Sequence, residues 1–226
     1  MIVARPTDLR AWREGSGACP SFLSAPDRNV TMENIIPRWE WRTFGETFGE
    51  SDDRFAALEP GGGQESDELY LLSPSTDENV KIRDLLMDIK TLEQVNPDGL
   101  EQWKPVMKGA FPLPAAEVKN VFNALGVAPP PLERADYTLE QFVTELVDPG
   151  QRLRVVKVHK RRTRYKIDGC MSEITEVVAD GRKIRTVAIE SEDPAHVIAT
   201  VRKFRLDRFQ NVSYPRGLKQ LVGMKS

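Results

Sequence analysis

The fold is decided by residues 152–191, which read RLRVVKVHKRRTRYKIDGCMSEITEVVADGRKIRTVAIES. The stretch alternates apolar and polar residues, as half-buried strands do. Two Asp-Gly pairs interrupt it, Asp168-Gly169 and Asp180-Gly181, and such pairs favour the tight turns of β-hairpins. The pattern therefore predicts three consecutive antiparallel strands, which cover Arg152 to Asp168, Cys170 to Ala179 and Ile184 to Ser191.

Shorter alternating segments upstream predict further strands. They cover residues 38–44, 67–73, 79–84, 86–94 and 101–108. Pro105 confines the last of these to a sheet edge or a bulge, because proline cannot donate a ladder hydrogen bond. The triple-glycine tract 61–63 is interpreted as a flexible turn, since no strand-to-helix pattern surrounds it. Four helices are predicted, which begin near Pro114, Leu139, Pro194 and Pro215.

Strands outnumber helices in this pattern, and most of them are joined by hairpins. An antiparallel sheet of about eight or more strands loses its exposed edges when it closes on itself. We therefore predict one α+β domain over residues 34–226, with an antiparallel barrel braced by several helices. Residues 1–33 lack a patterned apolar segment and are predicted to be a flexible leader. The leader and residues 123–150 could each form a homodimer contact or a lid.

The composition excludes several classes of protein. Lys and Arg number 32 and Asp and Glu 34, so the net charge of -2 removes the basic surface expected of a general nucleic-acid binder. No apolar run approaches the length of a membrane-spanning helix, so a membrane partner is not expected. Two cysteines fit a reducing, cytoplasmic location. With two cysteines and two histidines, carboxylates must hold any metal, which favours Mg²⁺ or Mn²⁺.

A row of cations follows the predicted strand at 152–168, where Lys160, Arg162 and Arg164 share one face. Taken alone, such a row is more often a solvated strand face than a binding site. Other predicted strands repeat it, however, and some carry carboxylates on the same face. The further cations are Lys81, Arg83, Lys90 and either Lys104 or Lys108, and the carboxylates are Glu173, Glu190 and Glu192.

If these faces line the inside of one barrel, its interior holds many cations beside a cluster of carboxylates. The cations suit a polyanion such as a triphosphate, because guanidinium groups bind phosphate oxygens in bidentate fashion. The carboxylates repel one another unless a hard cation neutralises them. Mg²⁺ or Mn²⁺ in that position would bridge phosphate oxygens and either activate water or polarise phosphorus.

The order of these motifs resembles the CYTH domain, also called the triphosphate tunnel metalloenzyme superfamily. The resemblance covers about residues 36–223 and is carried by Glu40, Val80-Lys81-Ile82-Arg83, Lys90, Lys160-x-Arg162-x-x-Tyr165, Glu173, Glu190-Ser191-Glu192 and Ser213-Tyr214. It implies an eight-stranded antiparallel tunnel in which basic side chains hold a triphosphate and glutamates hold one or two divalent metals. The first strand departs from the family's Glu-x-Glu-x-Lys pattern, since this sequence has Arg38-x-Glu40-x-Arg42.

The resemblance implies an enzyme that hydrolyses inorganic triphosphate or an organic or nucleoside triphosphate, with Mg²⁺ or Mn²⁺ as cofactor. The predicted metal ligands and catalytic residues are the same four: Glu40, Glu173, Glu190 and Glu192. The predicted substrate-binding residues are Arg38, Arg42, Lys81, Arg83, Lys90, Lys108, Lys160, Arg162 and Arg164. One alternative is a class IV-type adenylate cyclase, which makes cyclic AMP and pyrophosphate from ATP. The other is a non-catalytic module that binds polyphosphate or a nucleotide, and Arg38 motivates it.

Several conspicuous residues are predicted to be structural. Glu176 and His159 alternate away from the cationic face, so both are expected outside the barrel. Cys170 is expected to be a small buried side chain, and His196 is expected on a helix surface. Wall and core positions are predicted for Trp39, Trp41 and Trp103.

Overall fold

The computed structural model describes residues 36–150 and 152–224. Within these ranges the strands are β1 (Arg38–Gly45), β2 (Gly62–Leu72), β3 (Asn79–Arg83), β4 (Leu86–Val95), β5 (Glu101–Ala110), β6 (Leu113–Pro114), β7 (Asp136–Tyr137), β8 (Arg154–Ile167), β9 (Cys170–Ala179) and β10 (Arg182–Ser191). Eight of them form a closed antiparallel barrel in the order β1-β10-β9-β8-β2-β3-β4-β5, and β6 pairs with β7 in a separate small sheet. The predicted α+β fold with an eight-stranded antiparallel barrel is confirmed. The leader predicted over residues 1–33 lies outside the described residues.

The same ranges contain the helices α1 (Glu50–Ala56), α2 (Ala115–Ala124), α3 (Leu139–Gln141), α4 (Pro194–Lys203) and α5 (Tyr214–Val222). Helix α3 continues as a π-helical turn over Phe142–Val147. The four predicted helices are confirmed as α2 to α5, whereas α1 was not predicted. None of the helices in the described part of the chain is long and apolar enough to cross a membrane.

The two Asp-Gly pairs form the predicted hairpin turns. Asp168 and Asp180 have φ values of 48°, and Gly169 and Gly181, which follow them, also have positive φ. Two successive residues with positive φ give the turn whose twist matches that of paired strands. The registers Ile167↔Cys170 and Ala179↔Arg182 close the two hairpins directly around these turns.

The prediction for the triple-glycine tract was wrong. Gly62 and Gly63 lie in β2 and pair with Arg164 and Thr163 of β8. Strand β8 has 14 residues, and the backbone groups of its second half need hydrogen-bond partners on the side of β2. The start of β2 supplies them. The bulge expected at Pro105 is confirmed, because the register between β4 and β5 shifts where Lys90 meets this proline.

Two pairs of neighbouring strands in the barrel share only a few paired residues. Strands β2 and β3 share two registered pairs, and β1 and β5 share three, which end at Glu40↔Glu101. Beyond this pair, the backbone of Arg42 forms hydrogen bonds with the segment before α5. Its carbonyl accepts from the Val212 amide at 2.7 Å, and its amide donates to the Asn211 side chain at 2.8 Å. The segment before α5 therefore takes the place of β5 beside the second half of β1.

Helix α5 closes one end of the barrel. Its residues Tyr214, Leu218 and Val222 form one apolar cluster with residues of β2, β8 and β9 that have the inward parity. Val158 and Tyr70 belong to this cluster, and both share the strand face of the inner cations. Helices α1 and α4 pack instead on the outer face of β1, β9 and β10. The barrel is thus filled at one end and accessible at the other.

Candidate functional site

The cationic and acidic rows lie inside the barrel, on facing strands. Residues directly opposite in an antiparallel pair project to the same face of a sheet. The register places Glu173 opposite Arg164, and Glu190 opposite Glu40. The interior contains three groups of charged side chains, and the second and third of them share Glu40.

The deepest group surrounds Glu68. Its side chain is fully buried and lies 2.9 Å from the Lys160 amine, 3.5 Å from Lys81 and 3.6 Å from Arg83. Burial would raise the pKa of Glu68, but the charges of Lys160 and Lys81 outweigh it and lower the pKa to about 2. Burial lowers the pKa of Lys160 to about 7, against the opposing charge of Glu68. Three predicted phosphate-binding cations therefore already have a carboxylate partner.

The middle group is centred on Arg42. Its guanidinium lies 2.7 Å from Glu40 and 3.4 Å from Glu173, and Arg162 lies 2.9 Å from the same Glu173. Despite burial, these carboxylates raise the pKa of Arg42, which is charged at every relevant pH. Arg42 also lies over the ring of Tyr214, 5.1 Å from its centroid. The arrangement fixes Glu40 and Glu173 on either side of one guanidinium.

The third group is a pair of carboxyl groups, Glu40 and Glu190. Burial and the charge of Glu40 raise the pKa of Glu190 to about 7. Burial also acts to raise the pKa of Glu40, but the charge and hydrogen bond of Arg42 bring it below the usual value. Below about pH 7 the pair therefore holds one proton, with Glu190 the more readily protonated member. Such a pair is poised to exchange its proton for a cation.

A cavity of about 330 Å³ opens at this end of the barrel. Its lining residues are Ile36, Arg38, Glu40, Lys90, Trp103, Pro105, Glu190 and Glu192. Arg38 donates to the Met171 sulfur at 3.1 Å, and in the described part of the chain neither Arg38 nor Lys90 forms an ion pair with a carboxylate. The charge of Lys90 acts on both Glu40 and Glu190 and opposes the rise in the pKa of Glu190. Both cations face the cavity, where an anion from solvent could reach them.

The remaining predicted residues lie farther from this cavity. Arg164 is exposed and donates to Gln64, and Lys108 is exposed opposite Asp88. Lys104, the alternative to Lys108, forms an ion pair at 3.2 Å with Glu93.

Side chains expected outside the barrel lie there. Glu176 pairs with Arg161 at 2.6 Å, and His159 pairs with Asp67 at 2.9 Å on the outer face. Cys170 is fully buried, and His196 is more than half exposed on α4. Trp41 is a core residue, whereas Trp103 contributes to the wall of the cavity.

The sequence reasoning missed two interior carboxylates, Glu68 and Glu101. Glu68 has the same parity as Tyr70 in a strand that was correctly predicted, so alternation alone could have placed it inside. Glu101 lies opposite Glu40 and pairs with Arg216 of α5, while accepting at 3.3 Å from the Trp103 indole. Its partner on α5 could not be read from local sequence.

The carboxylates of the barrel supply only part of the ligands that a divalent cation needs. Among the described residues, no three Asp, Glu, His or Cys side chains form a group that could hold a metal by themselves. Glu173 faces two arginines, and Glu192 is exposed at the rim. Glu40 and Glu190 remain as adjacent carboxyl groups beside the cavity. Two carboxylates fit Mg²⁺ or Mn²⁺ when substrate phosphates and water supply the other ligands.

No protein-family model and no curated protein matches the chain significantly. Solved structures resemble it at low identity. A proposed adenylyl cyclase from Hippeastrum with a dominant triphosphatase activity is 11% identical, with a TM-score of 0.45, over 84% of this chain and 97% of the other. A proposed adenylate cyclase from Bacillus halodurans is 12% identical, with a TM-score of 0.43, over 82% and 98%. A conserved hypothetical protein from Pyrococcus furiosus is 14% identical, with a TM-score of 0.44, over 78% and 98%. The closed eight-stranded antiparallel barrel is the architecture that the sequence resemblance implies.

Proposed function

We propose that this protein is a divalent-metal-dependent hydrolase that cleaves a triphosphate inside its barrel. One observation carries the proposal: the cations Arg38 and Lys90, which form no ion pair within 4 Å among the described residues, line the same cavity as the carboxyl pair Glu40 and Glu190. A phosphate chain held by the cations would lie beside the two carboxyl groups. Charge-assisted contacts of this kind bind phosphate strongly in a partly desolvated site.

The chain's own residues would have distinct roles in this reaction. Arg38 and Lys90 bind phosphate oxygens from the cavity side, and Arg42 holds Glu40 in place through its 2.7 Å contact. Glu190 loses its proton when positive charge binds next to it, which leaves two carboxylates to hold that charge. Mg²⁺ or Mn²⁺ bound there would neutralise phosphate oxygens and make phosphorus more electrophilic. Water would then add to the terminal phosphorus and give up a proton to solvent, while the bond between this phosphorus and the bridging oxygen breaks, so that orthophosphate and the remaining diphosphate are the two products.

The test is release of orthophosphate from inorganic triphosphate and from ATP, with Mg²⁺ or Mn²⁺. We expect Glu40→Gln/Glu190→Gln to lose about a hundredfold or more in rate, because both charged ligands are removed. Glu176→Gln, on the outer face, is the matched control and is expected to keep the native rate. Pyrophosphate and cyclic AMP from ATP, without orthophosphate, would identify a cyclase and overturn the proposal.

A non-catalytic binding module is the second candidate, and it has its own supporting observation. Glu173 is occupied by Arg42 and Arg162, and Arg38 stands at a position where the resembled family has a carboxylate. This candidate predicts that triphosphate raises the melting temperature equally with and without a metal chelator, while no product forms with either metal. Metal-dependent turnover would exclude it.

A further inference from the structure

The charged group around Glu68 holds more positive than negative charge. Three cations lie within 4 Å of the Glu68 carboxylate: Lys81, Arg83 and Lys160. Among the described residues, two further carboxylates lie within 4 Å of these cations: Asp88, at 4.0 Å from Lys81, and Asp84, at 3.8 Å from Arg83. Asp84 is 83% exposed, so solvent screens its charge. Glu68 is therefore the carboxylate that joins the three cations inside the barrel.

Both oxygens of the Glu68 carboxylate have polar partners. Oε2 lies 2.9 Å from the Lys160 amine and 3.5 Å from the Lys81 amine. Oε1 lies 3.6 Å from the Arg83 guanidinium and accepts from the Ser66 hydroxyl at 3.2 Å. Proteins hold phosphate groups in the same way, with charged donors directed at each oxygen. The carboxylate thus fills a position that suits the oxygens of a phosphate group.

The cations form the accessible side of this group. The side chain of Arg83 is 31% exposed and that of Lys81 is 14% exposed, whereas the Glu68 side chain is fully buried. The backbone of Glu68 pairs with Val158 in the β2–β8 ladder, which fixes where the carboxylate can reach. An anion that approached the group would meet the cations first and find their buried side already occupied.

A phosphate group and the Glu68 carboxylate would compete for these cations. Two negative charges repel strongly at short range where little water screens them. Glu68 is attached to β2, so its carboxylate is present beside the cations at a high effective concentration, whatever the concentration of ligand in solution. A phosphate group must either displace this carboxylate or bind beside it, and both lower its affinity.

We propose that Glu68 is an internal competitor of the phosphate chain and a specificity-determining residue of the barrel. Its carboxylate takes the place of one phosphate group among Lys81, Arg83 and Lys160, so these cations contribute little to binding in the native protein. The inference rests on the proposed function, because it assumes that a phosphate chain enters the barrel. It makes the preference for longer over shorter phosphate chains weaker than the number of interior cations alone would give.

Calorimetry in a metal chelator measures the dissociation constants of inorganic triphosphate and pyrophosphate without turnover. Glu68→Gln keeps the shape of the side chain and removes its charge. We expect this variant to bind triphosphate at least about tenfold more tightly than the native protein does, and to gain less than about threefold for pyrophosphate, because the longer chain reaches the released cations. Unchanged or weaker triphosphate binding would assign Glu68 a purely structural role and overturn the inference.

Glu65→Gln is the matched control for this variant. Glu65 belongs to the same strand, lies 3.0 Å from His159 on the outer face, and gives the same change in net charge when it is replaced. We expect its affinity for both ligands to stay within about twofold of the native values, since its charge is screened by solvent. A gain equal to that of Glu68→Gln would show that the net charge alone governs binding, and would contradict the inference.

Arg83→Gln tests the inference in a protein that keeps Glu68. Its buried carboxylate still has Lys160 at 2.9 Å in this variant, and Arg83 is partly exposed, so the fold is expected to tolerate the change. We expect Arg83→Gln to alter triphosphate affinity less than about threefold in the native background, and to lower it at least about tenfold in the Glu68→Gln background. A tenfold loss in the native background would mean that Arg83 already binds phosphate, and would overturn the inference even if Glu68→Gln were unstable.

The outcomes separate this inference from the hydrolase. Tighter triphosphate binding by Glu68→Gln, with no orthophosphate release by the native protein in Mg²⁺ or Mn²⁺, refutes the hydrolase and supports the internal competitor. Orthophosphate release by the native protein, with no gain in binding by Glu68→Gln, refutes the internal competitor and supports the hydrolase. Absence of triphosphate binding by the native protein and by every variant refutes both.

Discussion

Glu190 is held in surroundings that oppose its ionisation. Burial and the charge of Glu40 raise its pKa from 4.5 to about 7. Between these values the folded protein keeps a proton on Glu190 that the unfolded chain has released. The contribution of Glu190 to the free energy of unfolding therefore falls as the pH rises from about 4.5 to about 7. Well above pH 7 Glu190 is ionised in the folded protein, and the whole free-energy cost of ionising it inside the barrel lowers the free energy of unfolding.

Replacing Glu190 by Gln removes this cost, since the amide resembles the protonated carboxyl group. We expect Glu190→Gln to raise the free energy of unfolding at pH 8 by on the order of 1–3 kcal/mol, and to leave it nearly unchanged at pH 4.5. Urea denaturation at both pH values, in a metal chelator, measures the difference. Glu192→Gln, on the exposed rim of the same cavity, is the control with little expected effect at either pH. A Glu190→Gln protein no more stable than the native one at pH 8 would contradict the proton-sharing arrangement.

At the scale of elements, α5 approaches the barrel more closely than a side chain allows. A Cβ atom added at Gly217 would lie 2.2 Å from the ring of Phe44, an inward residue of β1. Contacts below 3.0 Å require atoms to move, and Phe44 also packs edge-on against Tyr214 at 5.5 Å between ring centroids. The glycine therefore sets how deeply the helix enters the end of the barrel.

Gly217→Ala is expected to lower the free energy of unfolding by about 1–3 kcal/mol, because overpacking displaces Phe44 or the helix. The measurement is urea denaturation followed by circular dichroism. Gly63→Ala is a matched control, because the nearest atom to its added Cβ is 3.6 Å away, and a change of less than about 1 kcal/mol is expected. Equal stability of Gly217→Ala and the native protein would show that Phe44 yields without cost.

Elements that depend on local signals were predictable from the sequence. The turns at Asp168 and Asp180 and the inward parity of β8 follow from turn chemistry and strand alternation. Features that depend on distant pairing were not. Gly62 and Gly63 become a strand because β8 extends beside them, and Glu68 meets Lys160 only through the β2–β8 register. Local patterns therefore predicted the barrel and its charged lining, but not which charges pair inside it.

For the whole molecule, the positions of the charged side chains determine where a phosphate chain binds more than the net charge does. The net charge is -2, yet cations line the barrel and many of the outer ones are paired with carboxylates. A phosphate chain should therefore be attracted to the open end and not to the outer surface. Ion pairs on the outer face, such as Arg161 with Glu176, offset part of the positive charge there.

Two double variants with the same change in net charge test this arrangement. Arg38→Gln/Lys90→Gln removes two cations that line the cavity and form no ion pair with another described residue, whereas Lys104→Gln/Arg161→Gln removes two cations paired outside. We expect the first to weaken triphosphate binding at least about tenfold, on the order of 1.4 kcal/mol, and the second to change it less than about twofold. The readout is the rise in melting temperature with added inorganic triphosphate at low and at physiological ionic strength, since binding governs that rise and salt screens it. Equal losses in the two variants would mean that triphosphate responds to net charge, and the open end of the barrel would not be its binding site.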